Sequence, residues 1–151
     1  MLKIASEKTT KNEVSIPFVE ADGMNLAFAD RTFDAVTIAW GLRNFSNWKA
    51  GLIELHRVLK NGGRLVILEF SSPIVPGFKQ AFQFYFSHIL PRIGGAVSGS
   101  RSSYDYLPDS VSKFPDQKNL ASMMSEIGFS DVEYKNLTGG VVAIHSGVRK
   151  D

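Results

Sequence analysis

The chain has 151 residues, 44% of them hydrophobic, a size and composition that suit one globular domain with a single core. Seventeen basic residues stand against fifteen acidic ones with the signs interspersed, so no nucleic-acid footprint is present and no nucleic-acid partner is expected. The absence of cysteine excludes disulfides, thiolate catalysis and cysteine zinc sites, and no run of sequence reaches the roughly 20 apolar residues of a membrane span.

The opening MLKIASEKTTKNE has no apolar region behind its charges, so no secretory signal is expected. Leu2 to Lys8 reads as a short helical piece, and a polar loop then leads to a strand over Ile16 to Glu20. Asp34 to Ala39 is a β-branched run bounded by polar residues, the pattern of a strand buried in a parallel sheet. Asn47 to Lys60 spaces Leu52, Leu55, Val58 and Leu59 as one helical face, and Asn61-Gly62-Gly63 is expected to stop it. Arg64 to Phe70 follows as a second buried strand, which completes a right-handed βαβ unit and implies a parallel sheet.

Gly77 to Ile93 reads as a helix carrying Phe78, Phe82, Phe84, Tyr85 and Phe86, too many aromatics for one narrow stripe, so some are expected to face a ligand, a partner or lipid. Gly94 to Ser103 is small and polar, a mobile loop leading to Tyr104-Asp105-Tyr106-Leu107. Asp116 to Ile127 is an amphipathic helix stopped by Gly128. Phe129 to Leu137 and Val141 to Arg149 form strands joined by Thr138-Gly139-Gly140, an antiparallel hairpin.

Two segments lie where open α/β sheets bind ligands, just past the carboxyl ends of strands. In the first, Asp22 offers an acceptor to an exocyclic amine such as that of adenine, and Met24 a polarizable surface for a flat base; the plain alternative is a turn cap and a core filler. In the second, Ala39-Trp40-Gly41-Leu42-Arg43-Asn44-Phe45, the Arg43 cation and the Asn44 amide suit a phenolate or an activated water; the plain alternative is an ordinary ion pair with Trp40 in the core. Glu69 ends a strand and is expected to line the same cleft. His56, His88 and His145 lack ligand spacing and read as structural or solvated, so no metal is expected; Ser71, Ser72 and Ser146 form no nucleophile elbow.

The pieces ADGMNLAF, FDAVTIAWGLRN, HRVLKNGGRLVILEFSSP, SYDYLPDSV, FPDQKNLASMM and NLTGGVVAIHSG together resemble the UbiE/MenG family of ubiquinone and menaquinone C-methyltransferases. The resemblance covers nearly the whole chain, and GLRN and NLTGG are its most specific parts. It implies a Rossmann-like α/β fold of the class I S-adenosylmethionine-dependent type. It also implies transfer of a methyl group to a ring carbon of demethylmenaquinol or 2-polyprenyl-6-methoxy-1,4-benzoquinol.

Residue by residue, Asp22 and Gly23 match the adenine-contacting pair, with Met24 read beside them on the cofactor side, and Ala39 matches a cofactor-contacting position; Arg43 and Asn44 match catalytic residues that position a water or the ring hydroxyl as it loses its proton, and Tyr104 and Tyr106 fall in the substrate-side segment. Gly23, Ala39 and Trp40 depart from the alanine, serine and phenylalanine of many relatives. The family's first strand, its glycine-rich turn and the acidic residue ending the next strand have no counterpart in the sequence. Expected accordingly is an N-terminally truncated domain over 1–151: a helix remnant and loop at 1–13, a sheet core at 14–70, the aromatic helix and mobile segment at 71–115, and the C-terminal helix and hairpin at 116–151. Cofactor binding by this chain is expected to be weak or absent, and a homodimer is expected to cover its open edges. The location implied is cytoplasmic, with peripheral contact at the inner face of the membrane. The competing class is a non-catalytic quinone-binding or interaction module on the same fold.

Overall fold

A computed structural model describes residues 16–89 and 101–150. The strand β1 (Phe33–Ala39) leads through a single 3-10 turn, Leu42–Asn44, to helix α1 (Trp48–Val58) and strand β2 (Leu59–Phe70). Helix α2 (Phe78–Phe84) runs on into a π-helical turn at Tyr85–Ile89. Helices α3 (Arg101–Lys113) and α4 (Gln117–Ile127) follow, and strands β3 (Phe129–Leu137) and β4 (Val142–Arg149) close the chain.

The four strands form one sheet in the order β1-β2-β4-β3. β1 pairs parallel with β2, so the expected βαβ unit is present, and β3 and β4 pair antiparallel across Thr138–Gly140 as expected of the hairpin. β4 runs antiparallel to β2, so β3 runs with β1 and β2, and the carboxyl ends of all three lie along one edge of the sheet. The core fills one face: Leu65 and Ile67 of β2 pack with Leu52 and Leu55 of α1, Leu120 and Met124 of α4, and Phe129.

Local chemistry explains the boundaries. Asn47 caps α1 by accepting from the Ala50 N–H at 3.0 Å, and Asp116 caps α4 by accepting from Asn119 N–H at 2.9 Å, each satisfying an otherwise orphaned donor of the first turn. Gly128 ends α4 in the left-handed region, φ 117°, which glycine adopts without a Cβ penalty. α1 stops at Val58 rather than Lys60 because the buried Leu59 turns extended, ψ 142°, to pair with Phe33. The carbonyls of His56, Arg57 and Leu59 at this helix end are gathered by Arg149 Nη1 at 2.9, 2.8 and 2.7 Å.

Three expectations are corrected, the first being that β1 is buried: none of its residues is, and Asp34, Ala35, Thr37 and Ala39 are exposed, because β2 is its one partner strand among the described residues. Ile16 to Glu20 is not a strand: it is irregular and exposed along its length, with no partner strand among the described residues. The sheet therefore has four described strands, not five. Residues 101–107 belong to α3, not to a loop and its exit, and the helix carries Pro108 within it. The expected helix at Leu2 to Lys8 and the loop over 94–100 lie outside the described residues, as does the end of the aromatic helix beyond Ile89. No described helix is long and apolar enough to cross a membrane.

Candidate functional site at the carboxyl edge of the sheet

At the end of β1 the chain turns sharply. Trp40 adopts φ 56°, a conformation that costs a bulky L-residue roughly 1–2 kcal/mol. That turn aims the Trp40 carbonyl back at the 3-10 turn, where it accepts from Arg43 Nη1 at 2.8 Å and from Asn44 Nδ2 at 3.4 Å. Leu42, fully buried, anchors the turn in the core.

Arg43 is pinned from below by Glu69, the next-to-last residue of β2. Nη1 donates to Glu69 Oε1 at 2.8 Å, and the Arg43 backbone N–H donates to Oε2 at 3.3 Å. Oε1 also accepts the Phe70 N–H at 2.9 Å. The carboxylate is 1% exposed and the arginine side chain 11%, so the pair lies largely out of water. The guanidinium carbon sits 5.4 Å from the centre of the Phe70 ring, and Trp40 packs on the same ring at 4.7 Å. Of the guanidinium nitrogens, only Nη1 has protein acceptors among the described contacts; Nε is buried without one.

The loop that carries Asp22 docks on this turn. Asp22 Oδ1 accepts the Met24 N–H at 2.9 Å, so the plain turn-cap reading of Asp22 holds while its other oxygen stays exposed. Ser46 Oγ meets Met24 Sδ at 3.4 Å. Gly23 faces the Phe45 ring so closely that a Cβ would collide with it, and Gly51 of α1 meets the same ring in the same way. Phe45 is thus held between two glycines, and it fixes Gly23 and Met24 beside the Arg43–Asn44 segment.

The loop is tied down further along. The Leu26 N–H donates to Glu54 Oε1 at 2.7 Å, and Arg57 joins that carboxylate, at 2.6 and 2.9 Å, to Asp30 Oδ1 at 2.6 Å. The Arg57 guanidinium, with help from the Leu26 N–H, holds the Glu54 carboxyl below its ordinary value against the opposing effect of burial.

The structure thus brings Gly23, Met24, Arg43 and Asn44 into one contact network. Ala39 is exposed at the end of β1, one residue before the Trp40 turn, and Trp40 itself is 39% exposed rather than core. Glu69 does not line a cleft as expected; it lies beneath the site, buried and paired with Arg43. Tyr104 and Tyr106 lie on α3, and their side chains fall outside the described atoms. The histidines behave as read: His145 is buried, His56 packs edge-on against Phe129, and exposed His88 stacks on Phe84.

Sequence reasoning missed Phe45 and Gln117. A glycine pair 28 positions apart is the one signal that pointed to Phe45. Gln117 is buried and donates through Nε2 to Ser72 O, Asn136 Oδ1 and Gly140 O at 2.8, 2.9 and 3.1 Å. It borders a cavity of about 260 Å³ between Ser72–Ile74, the start of α4, and Tyr134 and Asn136 of β3. Its amide donors are already committed to protein acceptors, so the uncommitted donors of Arg43 make the stronger site.

Across residues 1–149, the sequence fits the family described as the ubiE/COQ5 methyltransferases. The chain belongs to the ubiE/COQ5 methyltransferase family. A demethylmenaquinone methyltransferase of Corynebacterium urealyticum is 48% identical over 134 residues, 89% of this chain and 58% of that protein. A ubiquinone/menaquinone biosynthesis C-methyltransferase UbiE of Citrobacter koseri is 46% identical over 151 residues, 99% of this chain and 60% of its own length. The chain therefore spans about three-fifths of these ubiE/COQ5 relatives. Among solved structures, a SAM-dependent methyltransferase of Thermotoga maritima superposes with a TM-score of 0.65 at 15% identity, over 96% of this chain and 69% of that one. That likeness shows the class I methyltransferase fold.

Proposed function

We propose that this chain carries the quinol-activating side of an S-adenosylmethionine-dependent C-methyltransferase of ubiquinone or menaquinone biosynthesis. One observation carries the reading: a guanidinium fixed at the carboxyl edge of the sheet, with Nη1 committed to protein acceptors, Nε buried, and Nη2 left for a ligand oxygen. Arginine stays protonated, so Arg43 serves as a clamp for a phenolate and not as a base. A hydroquinol oxygen held as its phenolate pushes electron density onto the ring carbon beside it, and that carbon becomes the nucleophile. Asn44, next along the turn, orients the ring hydroxyl or a water that takes its proton.

The methyl donor fits at its adenine end. The exposed oxygen of Asp22 suits the adenine amine, Met24 offers a flat polarizable surface, the exposed Ala39 leaves room for close approach, and Gly23, seated on Phe45, holds the loop in place. When bound, the sulfonium supplies an electrophilic methyl that needs alignment more than activation. No described residue matches the grip a methionine carboxylate requires, and binding of the donor by this chain alone is expected to be weak. The ring is that of demethylmenaquinol or a polyprenyl methoxybenzoquinol, with the tail directed to the α2 region. There Phe78, Phe84 and Tyr85 are exposed and give a peripheral membrane contact at the cytoplasmic face.

Trp40 on the Phe70 ring reports ligand binding by its fluorescence. Titration with a soluble naphthohydroquinone that bears a short prenyl chain and no ring methyl is expected to quench it saturably. In Arg43→Ala, checked as folded by circular dichroism, the affinity should drop about ten-fold, the loss of a charge-assisted hydrogen bond. Quenching that ignores the Arg43 change sinks the reading. Calorimetry with S-adenosylhomocysteine separates the donor question: tight binding would show that this chain grips the cofactor by itself.

A further inference from the structure

We infer that Glu69 is a positioning residue for the oxyanion site: it orients the Arg43 guanidinium so that Nη2 meets the ligand. The inference rests on the reading of Arg43 as a phenolate clamp and extends it to a residue no ligand touches. A carboxylate 1% exposed is costly to bury and needs full compensation, which here comes from Arg43 Nη1 at 2.8 Å, the Arg43 N–H at 3.3 Å and the Phe70 N–H at 2.9 Å. Two of those three contacts come from Arg43, one from its side chain and one from its backbone. Together with the Trp40 carbonyl at 2.8 Å they use both hydrogens of Nη1 and set the plane of the guanidinium. Phe70 stacking fixes the remaining rotation. With Nη1 saturated and Nε buried, the planar fork can present only Nη2.

Glu69→Gln separates positioning from charge because the two act in opposite directions. Gln removes a negative charge next to the site, which by itself makes the site more attractive to an anion. It also sets an amide N–H₂ against the N–H of Arg43 or Phe70, which cannot accept, so the guanidinium loses its fixed plane. If Glu69 positions Arg43, phenolate affinity falls in Glu69→Gln; if it matters only as charge, affinity rises.

The probe is 4-nitrophenol, followed by its phenolate absorbance as it is titrated into the 151-residue chain. Wild type is expected to bind the phenolate saturably, Glu69→Gln to bind it about ten-fold more weakly, and Arg43→Ala/Glu69→Gln to match Arg43→Ala alone. Unchanged or tighter binding by folded Glu69→Gln overturns the inference and leaves the clamp standing. So does a double variant weaker than Arg43→Ala. Failure of the wild type to bind the probe overturns the clamp itself, and the inference with it. Should Glu69→Gln not fold, ¹⁵N spectra of the wild-type arginine side chains decide the matter. Hindered rotation, with distinct Nη signals for Arg43, supports the inference, and a single averaged signal overturns it.

Discussion

At the scale of single residues, burial sets which groups give the fold its pH dependence. His145 is 1% exposed, with Nε2 at 2.9 Å from the Gln117 carbonyl and Nδ1 lacking any acceptor or donor. Burial pushes its pKa below the ordinary 6.5, with the Gln117 carbonyl opposing. His56 is lowered too, by burial first and by the charge of Arg149 second. Between the depressed folded values and 6.5 the unfolded chain takes up protons that the folded chain refuses. This part of the stability is therefore complete above about pH 6.5 and is lost as pH falls below it. Urea midpoints should decline from pH 7 to pH 5, and His145→Gln should flatten that decline; equal slopes for the two proteins would show that His145 is not its source. Residue chemistry was only partly legible beforehand. Arg43 and Asn44 were named from their place after a strand, yet Glu69 was assigned to a cleft it does not line, because the pairing that explains it spans 26 residues and exists only once β1 and β2 lie side by side.

At the scale of elements, the loop before β1 depends on α1 more than on its own sequence. Leu26 N–H has no strand partner; its acceptor is Glu54, which Arg57 in turn holds against Asp30. Exposed ion pairs contribute little, but Glu54 is 12% exposed and serves a backbone donor, so its loss leaves a part-buried N–H unpaired. In Glu54→Ala the Leu26 amide should lose its hydrogen-exchange protection and the loop bearing Asp22 and Met24 should loosen, at a cost of about 1–3 kcal/mol to global stability. Retained protection at Leu26 would mean that Phe45, seated on Gly23 and Gly51, suffices to hold the loop. The elements legible in the sequence were those with local signals: α4 between Asp116 and Gly128, the hairpin around Thr138–Gly140, and the strand-helix-strand run into β2. Those that failed depended on non-local terms. Ile16 to Glu20 has the composition of a strand but no partner strand among the described residues, and α3 continues through Pro108, where sequence alone argues for a break.

At the scale of the whole molecule, the sheet has an open side among the described residues. In a parallel pair, alternate residues turn both N–H and C=O toward the same neighbour. Thr32 N–H and Trp40 N–H reach across to Val58 and to Leu68, so Ala35, Thr37 and Ala39 turn their backbone groups outward from β1. All three are exposed, and β1 has β2 as its one partner strand among the described residues. Their side chains share the face that carries Val66 and Leu68, opposite the face covered by α1 and α4. An edge with outward donors and acceptors beside a half-buried apolar face invites another strand; β1 has no proline, and its one charge, Asp34, sits at its start in an ion pair with Lys60. A second copy of the chain is the nearest candidate for that strand, which makes a symmetric dimer the expected state at micromolar concentration. Thr37→Pro deletes an outward N–H while leaving the β1–β2 ladder intact, because Thr37 makes none of its bonds. Sedimentation equilibrium should therefore show the wild type dissociating on dilution and Thr37→Pro monomeric throughout. A wild type that is monomeric over the same range, with fast-exchanging amides at Ala35, Thr37 and Ala39, would mean that the edge stays solvated and that its charged neighbours Asp34 and Lys60, joined at 2.9 Å, are enough to keep copies apart.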